Sequence, residues 1–363
     1  MVIKEVQTGT IRIPLARPFK TALRSVDCID DILVRIVTDT GDCGYGEAPP
    51  TAVITGETRG SIAEAVQHFI APAIVGMEIE NIDGIAQRVN SCMVKNTSAK
   101  AAVDMAVYDL LGKRFSAPLY KLLGGYRRQL ETDITISVNP VAEMVADSVD
   151  AVQKGFQILK IKVGKEGMAD VERIAEIRRA VGPTIALRVD ANQGWKAKDA
   201  VQIIAAMENR ELNIDLVEQP VPAHDMQGMQ YVTSRVSTPI LADESLFTPR
   251  DAVEIIRTHA ADLLNIKLMK TGGIYNALKI CAIAEEYGVE CMIGCMLESK
   301  LAVTAAAHLM AAKHVITRAD LDGPSLCTVD PYEGGPIFTG PTITMGEGPG
   351  LGITSVPFEP LSA

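Results

Sequence analysis

From about residue 130 onward, short apolar runs recur along the chain, each followed by a segment of helical spacing. The runs are Thr132–Val138, Ile158–Val163, Ala186–Val189, Ile214–Val217, Ile240–Ala242, Leu263–Ile266, Glu290–Ile293 and Thr317–Leu321. Short continuous apolar runs read as strands buried on both faces. A repeat of about 25–28 residues fits the βα unit of a barrel of about 200 residues. Eight units favour closure over an open doubly wound sheet, and no Gly-x-Gly-x-x-Gly follows the first run.

Before residue 130 the texture differs. Ile3–Pro14 and Asp31–Thr38 alternate apolar and polar residues, as antiparallel strands do, and Asp42–Glu47 is turn-rich. Ser61–Ile74 and Ser98–Lys113 carry apolar residues at helical spacing. The pattern predicts an α+β domain over residues 1–125 and a barrel over 126–335, an α/β architecture. A Gly- and Pro-rich stretch from about 336 to 363 would run back to the first domain. Pro18–Ser25 and Pro49–Gly56 read as exposed loops, of a length often used for lids and binding.

Composition narrows the function classes. Apolar residues make up 47% and the formal net charge is −10, with acidic residues spread through the chain. That describes a globular protein and argues against nucleic acid as a partner. No run of ~18 apolar residues is available to cross a bilayer, and the first residues lack a signal peptide's apolar core. Seven cysteines without a Cys-x-x-Cys pair suit a reducing cytoplasm. The five histidines show no ligand spacing: His308, within an alanine-rich helical pattern, reads as a core residue, and His224 lies near a strand end.

The chemistry gathers where polar residues end these strands. The second strand closes on Lys160-Ile161-Lys162, the third on Asp190-Ala191-Asn192 and the fourth on Glu218-Gln219-Pro220. The fifth closes on Asp243-Glu244-Ser245, the sixth on Lys267 and the eighth on Asp320-Leu321-Asp322. Side chains two apart share a strand face. Lys160 and Lys162 would therefore sit together, and like charge plus partial burial would lower a lysine toward an amine base near neutral pH. Alternatively, such lysines leave the strand end for solvent.

In a barrel, equivalent positions on successive strands converge at the C-terminal mouth. Asp190, Glu218 and Asp243 would then lie side by side, and a divalent cation relieves their repulsion; an all-oxygen set suits Mg²⁺. Lys162 and Lys267 would flank that set on opposite sides. One could remove a proton α to a carboxylate and the other return it, through an enolate whose charge falls on oxygens facing the cation.

Each piece has an ordinary alternative. Asp190 and Asp243 suit helix N-caps, Glu218 suits a loop charge, and Lys267 can turn outward. Six coincidences at one register point instead to one site. Lys270-Thr271-Gly272-Gly273 reads as a βα turn, with a phosphate cradle as the alternative.

With these motifs the chain resembles the muconate-lactonizing subgroup of the enolase superfamily, whose fold is a modified (β/α)7β TIM-like barrel with an α+β capping domain. More closely it resembles the dipeptide epimerases of the L-Ala-D/L-Glu type. The resemblance implies Mg²⁺ on Asp190, Glu218 and Asp243, and Lys162 and Lys267 as the two acid/base catalysts, with Lys160 tuning Lys162. It implies Asp320 and Asp322 as the site for a dipeptide's ammonium, and Arg24 as the partner of a glutamate side chain. Thr135 and Cys295 join this substrate-binding set, and relatives form homo-oligomers. Murein peptides are the implied metabolic source. The rival readings are a cycloisomerase, an o-succinylbenzoate-synthase-like dehydratase, a dipeptide epimerase of other side-chain preference, and a metal-stabilised scaffold.

Overall fold

The alternating stretches near the start pair as an antiparallel meander: β1 (Ile3–Lys20), β2 (Ser25–Thr38) and β3 (Cys43–Ala48). These elements come from a computed structural model, which describes residues 1–164 and 166–361. Residues 362–363, the end of the stretch expected to rejoin the first domain, lie outside the described residues. Helix Thr97–Arg114 covers one face of the sheet, burying Ala99, Ala102, Val103 and Ala106 against Ile32, Val34 and Ile36. Gly46 permits the close approach, because a Cβ there would meet the Ala102 carbonyl oxygen at 1.9 Å.

One expectation is corrected here. Pro18–Ser25 is largely not an exposed loop: Phe19 and Lys20 stay in β1, opposite Val26 and Ser25 of β2. Only Thr21–Arg24 turns, closed by the Thr21 amide donating to the Arg24 carbonyl at 2.9 Å. The hairpin outreaches the apolar alternation because Lys20 is held from outside it. Its backbone amide donates to Ser137 Oγ at 3.1 Å and its Nζ to Asn139 Oδ1 at 2.8 Å.

After a short strand, β4 (Gln129–Glu131), come eight parallel strands. They are β5 (Ile134–Ile136), β6 (Ile158–Lys162), β7 (Ala186–Asp190), β8 (Ile214–Glu218), β9 (Ile240–Ala242), β10 (Leu263–Lys267), β11 (Cys291–Gly294) and β12 (Ile316–Asp320). Sequential neighbours pair throughout, so the sheet curls from β5 to β12 in chain order. Across the seam, the Leu321 amide donates to Thr132 Oγ1 at 2.8 Å and the Thr135 amide to Asp322 Oδ2 at 2.7 Å. Leu216, Leu241, Leu263 and Met292 pack together as a small buried cluster. Strand 359–360 returns to pair with β1, while strands 337–339 and 342–344 form a small sheet with β4.

Candidate active site

Register brings the polar strand ends into rows. Lys162 pairs beside Asp190, and Asp190 beside Glu218, so β6, β7 and β8 end side by side. Asp243 follows the end of β9, whose Leu241 pairs with Glu218. A second row runs Lys267, Gly294, Asp320 across β10, β11 and β12. Gly294 is glycine for a spatial reason: a Cβ there would come within 2.9 Å of Lys267 Cε and of Asn265 Oδ1.

The ammonium groups and carboxylates interlock. Lys160 is fully buried and its Nζ lies 2.6 Å from Asp320, 2.7 Å from Glu218 and 3.2 Å from Asp190. Lys162 Nζ lies 2.6 Å from Asp190 Oδ2, and Lys267 Nζ lies 2.8 Å from Asp243 Oδ2. Neither Asp190 nor Asp243 caps a helix: Lys196 precedes the helix after β7, and Thr248 caps the one after β9. Lys267 points inward, so the structure rejects these ordinary alternatives.

For Lys160 this network reverses the expected direction. Burial does push the Lys160 ammonium down, but Asp320, Glu218 and Asp190 outweigh it and hold its pKa well above the usual lysine value. Burial and Asp243 act in the same opposed way on Lys267, and the net direction is again upward. The two-lysine repulsion was legible in the sequence; the number of carboxylates around each ammonium was not. On the acidic side, burial and Asp190 raise Glu218 to about 8 against the pull of Lys160. For Asp243 burial is overcome by Lys267 and Lys270, which hold it well below the ordinary carboxylate range.

Among the described residues, no three acidic, histidine or cysteine side chains converge into a ready-made cage for a metal ion. Lys160 Nζ stands between Asp190 and Glu218. The donor chemistry nevertheless fits a hard dication. Glu218 Oε2, Glu244 Oε2 and Asn192 Oδ1 are buried oxygens that accept no hydrogen bond, although the Lys160 ammonium lies beside the first. Buried acceptors left over in this way call for a positive partner, and an all-oxygen set suits Mg²⁺.

Above the rows lies a small cavity of about 50 Å³. Lys162, Lys267, Asp243, Asp320 and Asp322 face it from the barrel, while Phe19, Arg24, Thr51 and Ile54 close it from the first domain. Thr135 and Cys295 line it too, and Cys295 Sγ sits 3.9 Å from Asp322 Oδ1. Arg24 is not a solvated loop residue. Its Nη2 donates to the Met296 carbonyl and its Nη1 lies 3.5 Å from Thr51 Oγ1. Burial and the neighbouring Asp320 raise Asp322 to about 6, so the pair shares a site where a cation is welcome.

Two family descriptions match the chain: "Mandelate racemase / muconate lactonizing enzyme, N-terminal domain" over residues 3–124, and "Enolase C-terminal domain-like" over residues 143–357. The chain belongs to the enolase superfamily. Within it, the chain is 54% identical to the L-Ala-D/L-Glu epimerase of Clostridium acetobutylicum, over 98% of this chain and 99% of that one. A solved substrate-liganded complex of the L-Ala-D/L-Glu epimerase from Bacillus subtilis is similar with TM-score 0.96 and 51% identity, covering 97% of this chain and 99% of that one. A dipeptide epimerase from Enterococcus faecalis, solved with Mg and the dipeptide L-Leu-L-Tyr, is similar with TM-score 0.95 and 45% identity, over 98% and 100%.

The structure of this enolase-superfamily chain also adds residues that the motif reading passed over. Asn265 donates to Glu218 Oε1 at 2.9 Å, and Gln219 Oε1 accepts the Asp243 amide at 3.0 Å. Lys270 joins Asp243 from below, at 2.5 Å from Oδ1. The only sequence signal for Lys270 was its place three residues after Lys267 on one short turn. The Lys270–Gly273 run is no phosphate cradle, because Asp104 of the first domain already caps the following helix by accepting the Ile274 amide. His308 is a satisfied core residue whose Nδ1 accepts the Tyr120 amide at 2.9 Å. His224 is exposed.

Proposed function

We propose that this chain is a Mg²⁺-dependent dipeptide epimerase of the L-Ala-D/L-Glu type, inverting the α-carbon of the C-terminal residue. One observation carries the reading: two lysines from non-adjacent strands sit at either end of the carboxylate row, and both line the cavity that Asp243, Asp320 and Asp322 also face. The names of the 54%- and 51%-identical relatives support the substrate class.

Asp190, Glu218 and Asp243 would hold Mg²⁺, which when bound offsets the charge that grows on a substrate carboxylate as its α-proton leaves. Lys162 and Lys267 approach from opposite flanks, so one takes the α-proton and the other delivers a proton to the opposite face. Lys160, locked among Asp320, Glu218 and Asp190, keeps a fixed positive charge beneath the reacting carbon. Asp320 and Asp322 receive the dipeptide's ammonium, with the Thr135 amide holding Asp322 in place and Cys295 beside it. Arg24 grips the terminal glutamate's side-chain carboxylate through its planar fork.

The test is a dipeptide panel incubated with enzyme and Mg²⁺ in D₂O and read by mass spectrometry. L-Ala-L-Glu and L-Ala-D-Glu are expected to gain one deuterium each at the terminal α-carbon. No uptake in any dipeptide would sink the proposal. Activity surviving Asp320→Asn and Asp322→Asn together would favour the cycloisomerase or dehydratase reading, whose substrates carry no ammonium. We further propose that the protein works in a reducing cytoplasm, consistent with seven unpaired cysteines, and as a homo-oligomer, which sedimentation can check.

A further inference from the structure

Lys270 is the fourth lysine at the carboxylate row, and the proton transfers above do not use it. It lies on the short helical turn Leu268–Thr271 directly after β10 and is completely buried. A buried ammonium is costly unless its hydrogens are all received. This one donates to the Asp243 backbone carbonyl and to the Asn265 carbonyl at 3.0 Å, and it pairs as an ion with Asp243 Oδ1 at 2.5 Å. Lys267 holds the other oxygen of the same carboxylate, Oδ2, at 2.8 Å.

The two lysines come from different sides. Lys267 lines the substrate cavity, whereas Lys270 lines a separate cleft between the first domain and the barrel, with Lys100, Thr97 and Asn276. Asp243 is therefore pinned through Oδ1 and its backbone from behind, and Oδ2 is the oxygen shared with the cavity-side lysine.

We propose that Lys270 is a positioning residue that limits Asp243 to ligation through Oδ2 alone, and so biases the centre toward Mg²⁺ over Ca²⁺. This rests on the reading of Asp190, Glu218 and Asp243 as the metal-holding set. The physical reason is coordination number. Ca²⁺ takes six to eight oxygens and readily uses both oxygens of a carboxylate, whereas Mg²⁺ demands a tight octahedron. The positive charge of Lys270 opposes either dication alike, so it cancels when the two affinities are compared as a ratio.

The experiment is calorimetric titration of the metal-stripped full-length protein with Mg²⁺ and separately with Ca²⁺. Relative to wild type, Lys270→Met is expected to shift the Mg²⁺-to-Ca²⁺ affinity ratio toward Ca²⁺ on the order of 10-fold, the size typical of outer partners of metal ligands. Lys270→Arg, which keeps charge and donors, is expected to hold the wild-type preference. An unchanged ratio in Lys270→Met, or an equal loss in Lys270→Arg, overturns the role given to Lys270 while leaving the metal centre standing. Wild-type protein that binds no Mg²⁺ overturns the metal reading itself. If Lys270→Met does not fold, Lys270→Gln serves: a shift toward Ca²⁺ supports the proposal and an unshifted ratio overturns it.

Discussion

Lys162 and Lys267 hold the two outermost carboxylates of one row, with Lys162 Nζ 2.6 Å from Asp190 Oδ2 and Lys267 Nζ 2.8 Å from Asp243 Oδ2. They rise from β6 and β10, so three strands carrying Asp190, Glu218 and Asp243 lie between them. A carbon seated over that row has one amine on each side. Such a pair can exchange a proton with either enantiomer, which a single amine cannot do without turning the substrate over.

Replacing one amine should separate the two directions. Lys267→Ala is expected to abolish solvent-deuterium exchange into one enantiomer of the terminal residue while exchange into the other survives, and Lys162→Ala should show the opposite preference. Loss of general acid–base help costs about 10²–10⁴-fold in rate. Mass spectrometry of each enantiomer in D₂O reads the result; equal exchange of both enantiomers in Lys267→Ala contradicts the two-base scheme.

Gly294 should be intolerant for reasons of space. Its added Cβ would press on Lys267 Cε and Asn265 Oδ1, each 2.9 Å away. Gly294→Ala is expected to lower kcat on the order of 10²-fold, since displacing a reacting group by about an ångström costs that much. Mg²⁺ affinity should also fall, on the order of 10-fold, because Asn265 and Lys267 hold the proposed ligands Glu218 and Asp243. Steady-state kinetics beside a metal titration separate the two.

Asp322 should impose a pH limit on binding. Burial and Asp320 raise its pKa from the ordinary value to about 6. The charged form receives an ammonium, so affinity is full above that value and falls as pH drops through about 6. KM for the dipeptide should rise across this window, by up to about tenfold per pH unit below it. Asp322→Asn should show a raised KM with this inflection gone; a persisting inflection assigns it elsewhere.

Arg24 should tune side-chain choice rather than chemistry. Arg24→Met is expected to raise KM for dipeptides ending in glutamate by about 10–100-fold, the equivalent of one charged hydrogen-bonded contact. Dipeptides ending in an apolar residue should change little. Competition between the two substrate types in one reaction measures the ratio directly.

Glu47 should matter to stability without touching substrate. From β3 it accepts the Ser299 amide at 2.8 Å, the Ser299 hydroxyl at 2.7 Å and the Ala302 amide at 2.9 Å, capping the barrel helix Lys300–Ala312. Glu47→Ala is expected to cost about 2 kcal/mol, the upper end for a lost cap. Chemical denaturation checks the value, and an unchanged midpoint would contradict the cap's importance.

The hairpin and Lys270 show where sequence reading stopped. Alternation faded after Pro14, so Phe19 and Lys20 looked like loop, yet Ser137 and Asn139 of the barrel hold Lys20 in the strand. Lys270 carried no periodic signal because its role depends on reaching Asp243, across the β9–β10 boundary. Arg24 was assigned by resemblance alone, and that it turns into the cavity instead of into water is a fact of domain packing.

The chain alone determined the eight buried strands and the polar residue ending most of them, because burial on both faces and a period of two are local properties. From those followed the row of Asp190, Glu218 and Asp243 with Lys162 and Lys267 beyond it. Tertiary structure decided the protonation balance, since the charge on Lys160 depends on Asp320, 160 residues away in sequence. It also decided which first-domain side chains close the cavity. Electrostatic and steric neighbours at that separation are set by how the barrel curls and where the first domain docks, and no local pattern encodes either distance.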